Sequence, residues 1–204
     1  MAYFPFFMDL SGKAGLIIGG GTVALRKAEK LISFTGNLTV LAPEICPALR
    51  SISGLRLLER PFQPGDEAGM DFVIAATSNR AVNRMISERC QAVRIPVNVV
   101  DDAELCTFLF PALVQRGALT VGISTGGSSP TEAICLKEQV DQLLPDRFDE
   151  ILEFLHSERD RIRKQVPTEA QRHVVLRRLF FAAMEKGGPL TATESEQLLN
   201  EVLL

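Results

Sequence analysis

The sequence predicts an α/β chain: a parallel sheet with helices on both faces, then a small mixed segment, then an all-helical end. Three observations predict it. Over the first half, short and almost wholly apolar runs alternate with segments of helical period, which is the pattern of βαβ units. The first run, Leu16-Ile17-Ile18, passes through Gly19-Gly20-Gly21 into Val23, Ala24, Ala28 and Leu31 at helical spacing. From residue 148 onward no strand pattern remains, and Phe148, Ile151, Leu152 and Leu155 begin a helical stripe.

The glycine turn fits G-x-G-x-x-A, with Gly19, Gly21 and Ala24 at the key places. Gly19 permits the tight turn, Gly21 leaves the backbone open to a diphosphate, and Ala24 lets the helix pack close to the strand. The free N–H groups of the following helix would then face the phosphates, in a dipole that favours their charge. A plain strand-to-helix turn is the alternative. The acidic residue usual about 20 positions on is absent near Leu41, where residues 38–41 form strand two. Glu44 follows in Pro43-Glu44, and it or the local backbone would have to meet a ribose; a surface glutamate without a role is the other reading.

Further along, residues 45–52 suggest a helix, 55–60 a strand, and 71–77 a strongly apolar central strand ending in Thr77-Ser78-Asn79. Residues 81–93 form an amphipathic helix with Val82, Met85, Ile86 and Cys90 on one face, and 97–100 the next strand, ending at Asp101-Asp102. Gly36 is expected to close the first helix at about Phe34. In such sheets ligands lie outside the carboxyl ends of the strands. Gly19 to Thr22, Thr77 and Asp101 are therefore expected to converge on one crevice. After about residue 112 the pattern changes: 118–124 alternates as a half-buried strand, a Thr/Gly/Ser turn follows at 125–130, and a helix covers about 131–144. That turn is either an anion site or a simple connection. The helical end breaks at Pro167 and at Gly187-Gly188-Pro189, and Thr193 with Glu196 fits a capping box for the last helix.

Composition bounds the function. With 204 residues and 46% hydrophobic content the chain can bury a real core, and a net charge of −3 argues against bulk nucleic-acid binding. No apolar run approaches the ~20 residues of a bilayer span. The opening Tyr3-Phe4-Pro5-Phe6-Phe7-Met8 is too short for a signal peptide and has no basic start, so a cytoplasmic protein is expected. Its aromatic density predicts that it packs on the domain or rims a pocket. Cys46, Cys90, Cys106 and Cys135 are scattered and only two histidines are present, so no metal site or disulfide framework is expected.

Asp101, at the end of an apolar strand, would be partly desolvated and suited to proton transfer; a turn or N-cap carboxylate is the alternative. Asn98 reads as structural. Taken together, Phe4-Pro5-Phe6-Phe7-Met8-Asp9-Leu10, Gly19-Gly20-Gly21-Thr22-Val23-Ala24, Ala75-Ala76-Thr77, Asn98-Val99-Val100-Asp101 and Ser124-Thr125-Gly126-Gly127-Ser128-Ser129-Pro130 resemble the precorrin-2 dehydrogenase and ferrochelatase family, the N-terminal part of sirohaem synthase. The resemblance implies three parts: an NAD-binding Rossmann domain (1–112), a dimerisation segment (113–147) and a helical domain (148–204). It implies oxidation of precorrin-2 to sirohydrochlorin with NAD as cofactor, and in some members Fe2+ insertion, in a homodimer without a resident metal. It makes Asp101 the catalytic residue. Gly19, Gly20, Gly21, Thr22, Val23, Pro43, Glu44 and Thr77 become the cofactor-binding set. Arg26, Lys27, Arg80, Arg116 and Lys137 are candidates for the carboxylates of the tetrapyrrole, with a solvated surface charge as the other reading of each. Glu44, with no arginine before Arg50, leans toward NAD over NADP. A non-catalytic NAD-sensing module of a transport system is the alternative function; it would have no need of Asp101 or of the Phe-Pro opening.

Overall fold

A computed structural model describes residues 3–203. The chain divides into two compact units, one up to Phe110 and one from Pro111. The first contains β1 (Gly15–Ile18), α1 (Thr22–Leu31), β2 (Leu38–Leu41), α2 (Pro47–Arg50), β3 (Leu55–Leu58), β4 (Phe72–Ala75), α3 (Arg80–Ala92), β5 (Val97–Val99) and a 3-10 turn, Ala103–Leu105. The strands form one parallel sheet in the order β3-β2-β1-β4-β5, so the first strand in the chain is central in the sheet. Ile17 pairs with Val40 on one side and Ile74 on the other.

The continuous apolar runs follow from burial on both faces. On one face Ile17, Val40 and Ile74 pack with Ala24, Ala28 and Leu31 of α1 and Leu49 of α2. On the other, Leu16, Ile18, Val73 and Ala75 pack with Ile86 and Cys90 of α3. Ala24 and Ala28 are fully buried, so α1 lies close on the sheet, as the third place of the glycine motif requires.

Several expectations change in detail. The first helix ends at Leu31 with Ile32 as a right-handed cap, and Gly36 is not left-handed. The Thr35 hydroxyl shapes the exit instead, donating to Lys13 O (2.6 Å) and accepting from Asn37 N–H (3.1 Å). α2 is a single turn rather than a helix over 45–52. The aromatic opening neither packs down nor rims the cavity described below: Phe4, Phe6 and Phe7 are 84%, 77% and 78% exposed. Leu10 is the first residue of that stretch to reach the core.

The second unit begins with a hairpin, β6 (Ala112–Arg116) and β7 (Leu119–Ile123), in antiparallel register with Val114 opposite Val121. β6 was not expected. Its turn is Gly117-Ala118, with Gly117 at φ +54°. α4 (Pro130–Gln142), α5 (Phe148–Gln165), α6 (Glu169–Lys186) and α7 (Ala192–Leu203) complete the unit. Ile162, Val175, Leu179 and Leu199 join α5, α6 and α7 in one core. The capping box of α7 lies two residues earlier than expected. Thr191 Oγ1 accepts from Glu194 N–H (3.3 Å) while Glu194 Oε2 accepts from Thr191 N–H (2.6 Å). Glu196 instead pairs with Arg161 (2.8 Å). No helix among the described residues is long and apolar enough to cross a membrane.

Candidate functional site

The loops that leave the carboxyl ends of the strands surround one cavity of about 1060 Å3 in the first unit. That is the upper end of the range typical of cofactor and substrate pockets. The loop after β1 contributes Gly19 to Val23, the loop after β2 Pro43 and Glu44, the loop after β4 Thr77 and Asn79, and the loop after β5 Val100 and Asp101. All nine candidate site residues therefore line a single space. Arg80 also lines it; Arg26 and Lys27 do not, and Arg116 and Lys137 belong to the second unit. Arg116 is engaged by Asp141 at 2.8 Å.

The three glycines do different work. Gly19 sits at φ +139°, and a Cβ there would stand 2.3 Å from Ala76 O. A Cβ on Gly20 would stand 1.8 Å from Glu44 O, so the loops after β1 and β2 touch backbone to backbone, tied by Cys46 N–H donating to Gly20 O (2.9 Å). Around Gly21 a Cβ would meet nothing within 4 Å; this is the open wall of the cavity. Gly21 is the N-cap of α1 and offers no side-chain cap, and the first turn carries no acidic residue. The leading N–H groups of α1 are thus left for an external acceptor. α3 differs, because Asn79 Oδ1 already accepts from Ala81 N–H (2.9 Å) and Val82 N–H (3.2 Å). The open wall beside Gly21 and the unsatisfied first turn of α1 fit a phosphate-bearing cofactor.

Thr77 lines the cavity, but its hydroxyl is engaged. It donates to Asn83 Oδ1 (2.6 Å), and Asn83 Nδ2 donates back to Thr77 O (3.0 Å). Asn83 is 5% exposed and fixes this loop from inside α3. The sequence reading passed over it, though a polar residue three and seven places before Ile86 and Cys90 on the apolar face is a visible signal. Beyond Glu44, Arg50 is held by both carboxylate oxygens of Glu59 and donates to Ile45 O (3.2 Å).

Asp101 departs from expectation. It is exposed rather than partly desolvated, because β5 ends at Val99 and the chain turns at Val100-Asp101 before the 3-10 turn. Asp101 sits at φ +60°, one of two left-handed non-glycine residues among those described. Cys106 lies under this turn. Its sulfur accepts from Val99 N–H (3.1 Å) and faces Val99 O (3.2 Å), Asp102 O (3.3 Å) and Asn98 Nδ2 (3.5 Å). Asn98, 6% exposed, also donates to Phe108 O (3.0 Å). Nearby, Lys27 Nζ stands 3.8 Å from the centre of the Phe110 ring. Burial, and then repulsion from Lys30, push the Lys27 ammonium down to about 8, against the opposing pull of Cys106 and Asp101. No cluster of three or more His, Cys, Asp and Glu side chains suited to a metal occurs among the described residues.

Comparison with known proteins agrees with this architecture. The chain is 37% identical over 210 residues to the siroheme synthase of Pseudomonas aeruginosa PAO1, covering 100% of this chain and 44% of that protein. It is 37% identical over 194 residues to the siroheme synthase of Thioalkalivibrio sulfidiphilus, covering 94% and 38%. The chain thus spans less than half the length of these curated relatives. Its fold matches that of SirC, a precorrin-2 dehydrogenase, with a TM-score of 0.72 at 23% identity, over 98% of this chain and 99% of that one. A family model described as "Putative NAD(P)-binding" matches residues 6–112, more than half of the chain, and the chain belongs to that family.

Proposed function

We propose that this chain oxidises precorrin-2 to sirohydrochlorin with NAD+ as the acceptor. The observation that carries the reading is the convergence of an uncapped glycine-led helix and a left-handed aspartate on one cavity. The α1 N–H groups at Gly21, Thr22 and Val23 hold the diphosphate, and the loop of Pro43 and Glu44 meets the adenosine ribose. Thr77, braced by Asn83, shapes the wall between them. Arg50, the nearest arginine after Glu44, is occupied by Glu59, which leaves no free guanidinium in that loop for a 2′-phosphate and supports NAD over NADP.

When bound, the nicotinamide supplies a hydride acceptor. The chain supplies the base: Asp101 takes the proton that leaves the tetrapyrrole as the hydride departs. Its exposure to the cavity gives that proton a route to water. Fe2+ enters this reading as a substrate. The macrocycle contributes four nitrogens, and Asp101 is the carboxylate that takes their protons. Residues 113–147 serve as the dimerisation segment of a homodimer, and 1–112 and 148–204 as its coenzyme and helical parts. The protein acts in the cytoplasm.

The test mixes the purified protein with precorrin-2 and NAD+ and follows the sirohydrochlorin absorption. Asp101→Asn tolerates the left-handed backbone but lacks the base. It is expected to bind NAD+ as the parent does and to lose about 100-fold or more of turnover. Parental turnover by the variant, or no conversion by a parent protein with NAD+ bound, overturns the proposal.

A further inference from the structure

We infer that Cys106 is a positioning residue for Asp101: its thiol closes the turn that presents the carboxylate to the cavity. This rests on the base role proposed for Asp101. The turn runs from Val99 to Asp102 with Asp101 in its third place at φ +60°, a position that glycine or asparagine usually takes. The turn's own closing bond, Asp102 N–H to Val99 O, is long at 3.5 Å. The Cys106 sulfur supplies what that bond lacks. It accepts from Val99 N–H at 3.1 Å and lies 3.2 Å from Val99 O and 3.3 Å from Asp102 O, so that with its hydrogen on Asp102 O one atom grips both ends of the turn. Asn98, on the last strand of the sheet, adds a third contact at 3.5 Å and anchors itself on Phe108 O.

Cys106 does not line the cavity, so its action on the reaction passes through the turn. Burial pushes the thiol up, which keeps its hydrogen in place as a donor. A left-handed aspartate without this grip has cheaper conformations available to it, and a base displaced by about an ångström loses much of its rate.

The experiment uses the full chain in four forms: parent, Cys106→Ala, Cys106→Ser and Asp101→Asn/Cys106→Ala. Cys106→Ala is expected to lower kcat by about 10- to 100-fold, with KM for NAD+ unchanged, because the diphosphate contacts on α1 are untouched. Cys106→Ser keeps a donor and an acceptor and is expected to restore most of that loss. In the double variant the cysteine change is expected to cost nothing beyond Asp101→Asn alone. Hydrogen exchange across 97–106, read without substrate, is expected to quicken in the alanine variant. Should alanine prevent folding, Cys106→Val keeps the volume without the thiol and takes its place. Unchanged kcat, an equal loss of NAD+ affinity, failure of serine to rescue, or an undiminished penalty in the Asp101→Asn background overturns the inference. An inactive parent, or an Asp101→Asn variant as fast as the parent, instead overturns the function on which it rests.

Discussion

Gly20 and Gly21 are neighbours whose replacement by alanine should fail in opposite ways. A Cβ on Gly20 would lie 1.8 Å from Glu44 O and 3.0 Å from Ala42 Cβ. Carbon and oxygen need about 3 Å, so the backbone of the loop after β2 must retreat by more than 1 Å. Overpacking of this kind costs about 1–3 kcal/mol. The retreat also strains the bond from Cys46 N–H to Gly20 O (2.9 Å), worth about 1 kcal/mol. Gly20→Ala should therefore lose about 2–4 kcal/mol of stability in urea unfolding without ligand. Gly21→Ala meets no atom within 4 Å, and its φ of −93° suits alanine. The poorer N-cap and the less flexible unfolded chain offset each other to within about 1 kcal/mol. On the proposed placement of the coenzyme its methyl stands where the diphosphate approaches, so NAD+ should bind about 10- to 100-fold more weakly, or about 1.4–2.7 kcal/mol. Unfolding curves and calorimetric NAD+ titrations of both variants decide the matter. Parental NAD+ affinity in Gly21→Ala, or parental stability in Gly20→Ala, refutes the reasoning.

Two further outcomes are expected. Lys27 titrates near 8 when folded against 10.5 ordinarily, so between those values the unfolded chain holds the extra proton. This group's contribution to stability therefore rises with pH across that window, and Lys27→Met should flatten the rise in urea midpoints measured from pH 8 to 10; an unaltered slope counts against a half-buried ammonium. Thr191→Ala removes one half of the α7 capping box and should cost about 1 kcal/mol, seen as a lower thermal midpoint. Its partner Glu194 is held down to about 2 by Lys186 and Thr191. The stabilisation from that carboxylate is present above about 4.5 and lost as pH falls through about 2, so the midpoint gap between parent and variant should narrow in acid.

Much of this architecture was legible because burial on both faces writes itself as uninterrupted apolar strands: Leu16-Ile17-Ile18 and Phe72-Val73-Ile74-Ala75 admit few other readings. The glycine motif also announces where the carboxyl ends of those strands meet. β6 escaped because Ala112 to Arg116 carries no alternation, with Ala112 and Leu113 half-buried, Val114 buried, and Gln115 and Arg116 both exposed. The exposure of Asp101 was hidden for a different reason. An apolar strand ahead of an acid says nothing about the turn between them, and the grip of Cys106 reaches back four residues to Asp102 and seven to Val99 with no periodic signal. The capping box slipped by two because Thr191-x-x-Glu194 and Thr193-x-x-Glu196 satisfy the same rule, and the pull of Lys186 on Glu194 and of Arg161 on Glu196 separates them.

The earliest strand of the chain lies at the middle of its sheet, and this bears on how the protein comes into being. β1 has one edge completed by β2, a short distance later, but the other must wait for β4, more than fifty residues on. Until that partner emerges during synthesis, an edge of unpaired N–H and C=O groups on a buried apolar strand stands open, and the loops carrying Gly21 and Asp101 cannot share a wall. A fragment ending before β5 would hold every glycine of the turn and still lack Val100 and Asp101 from the wall. The full wall therefore closes only late in translation, once β5 has paired with β4.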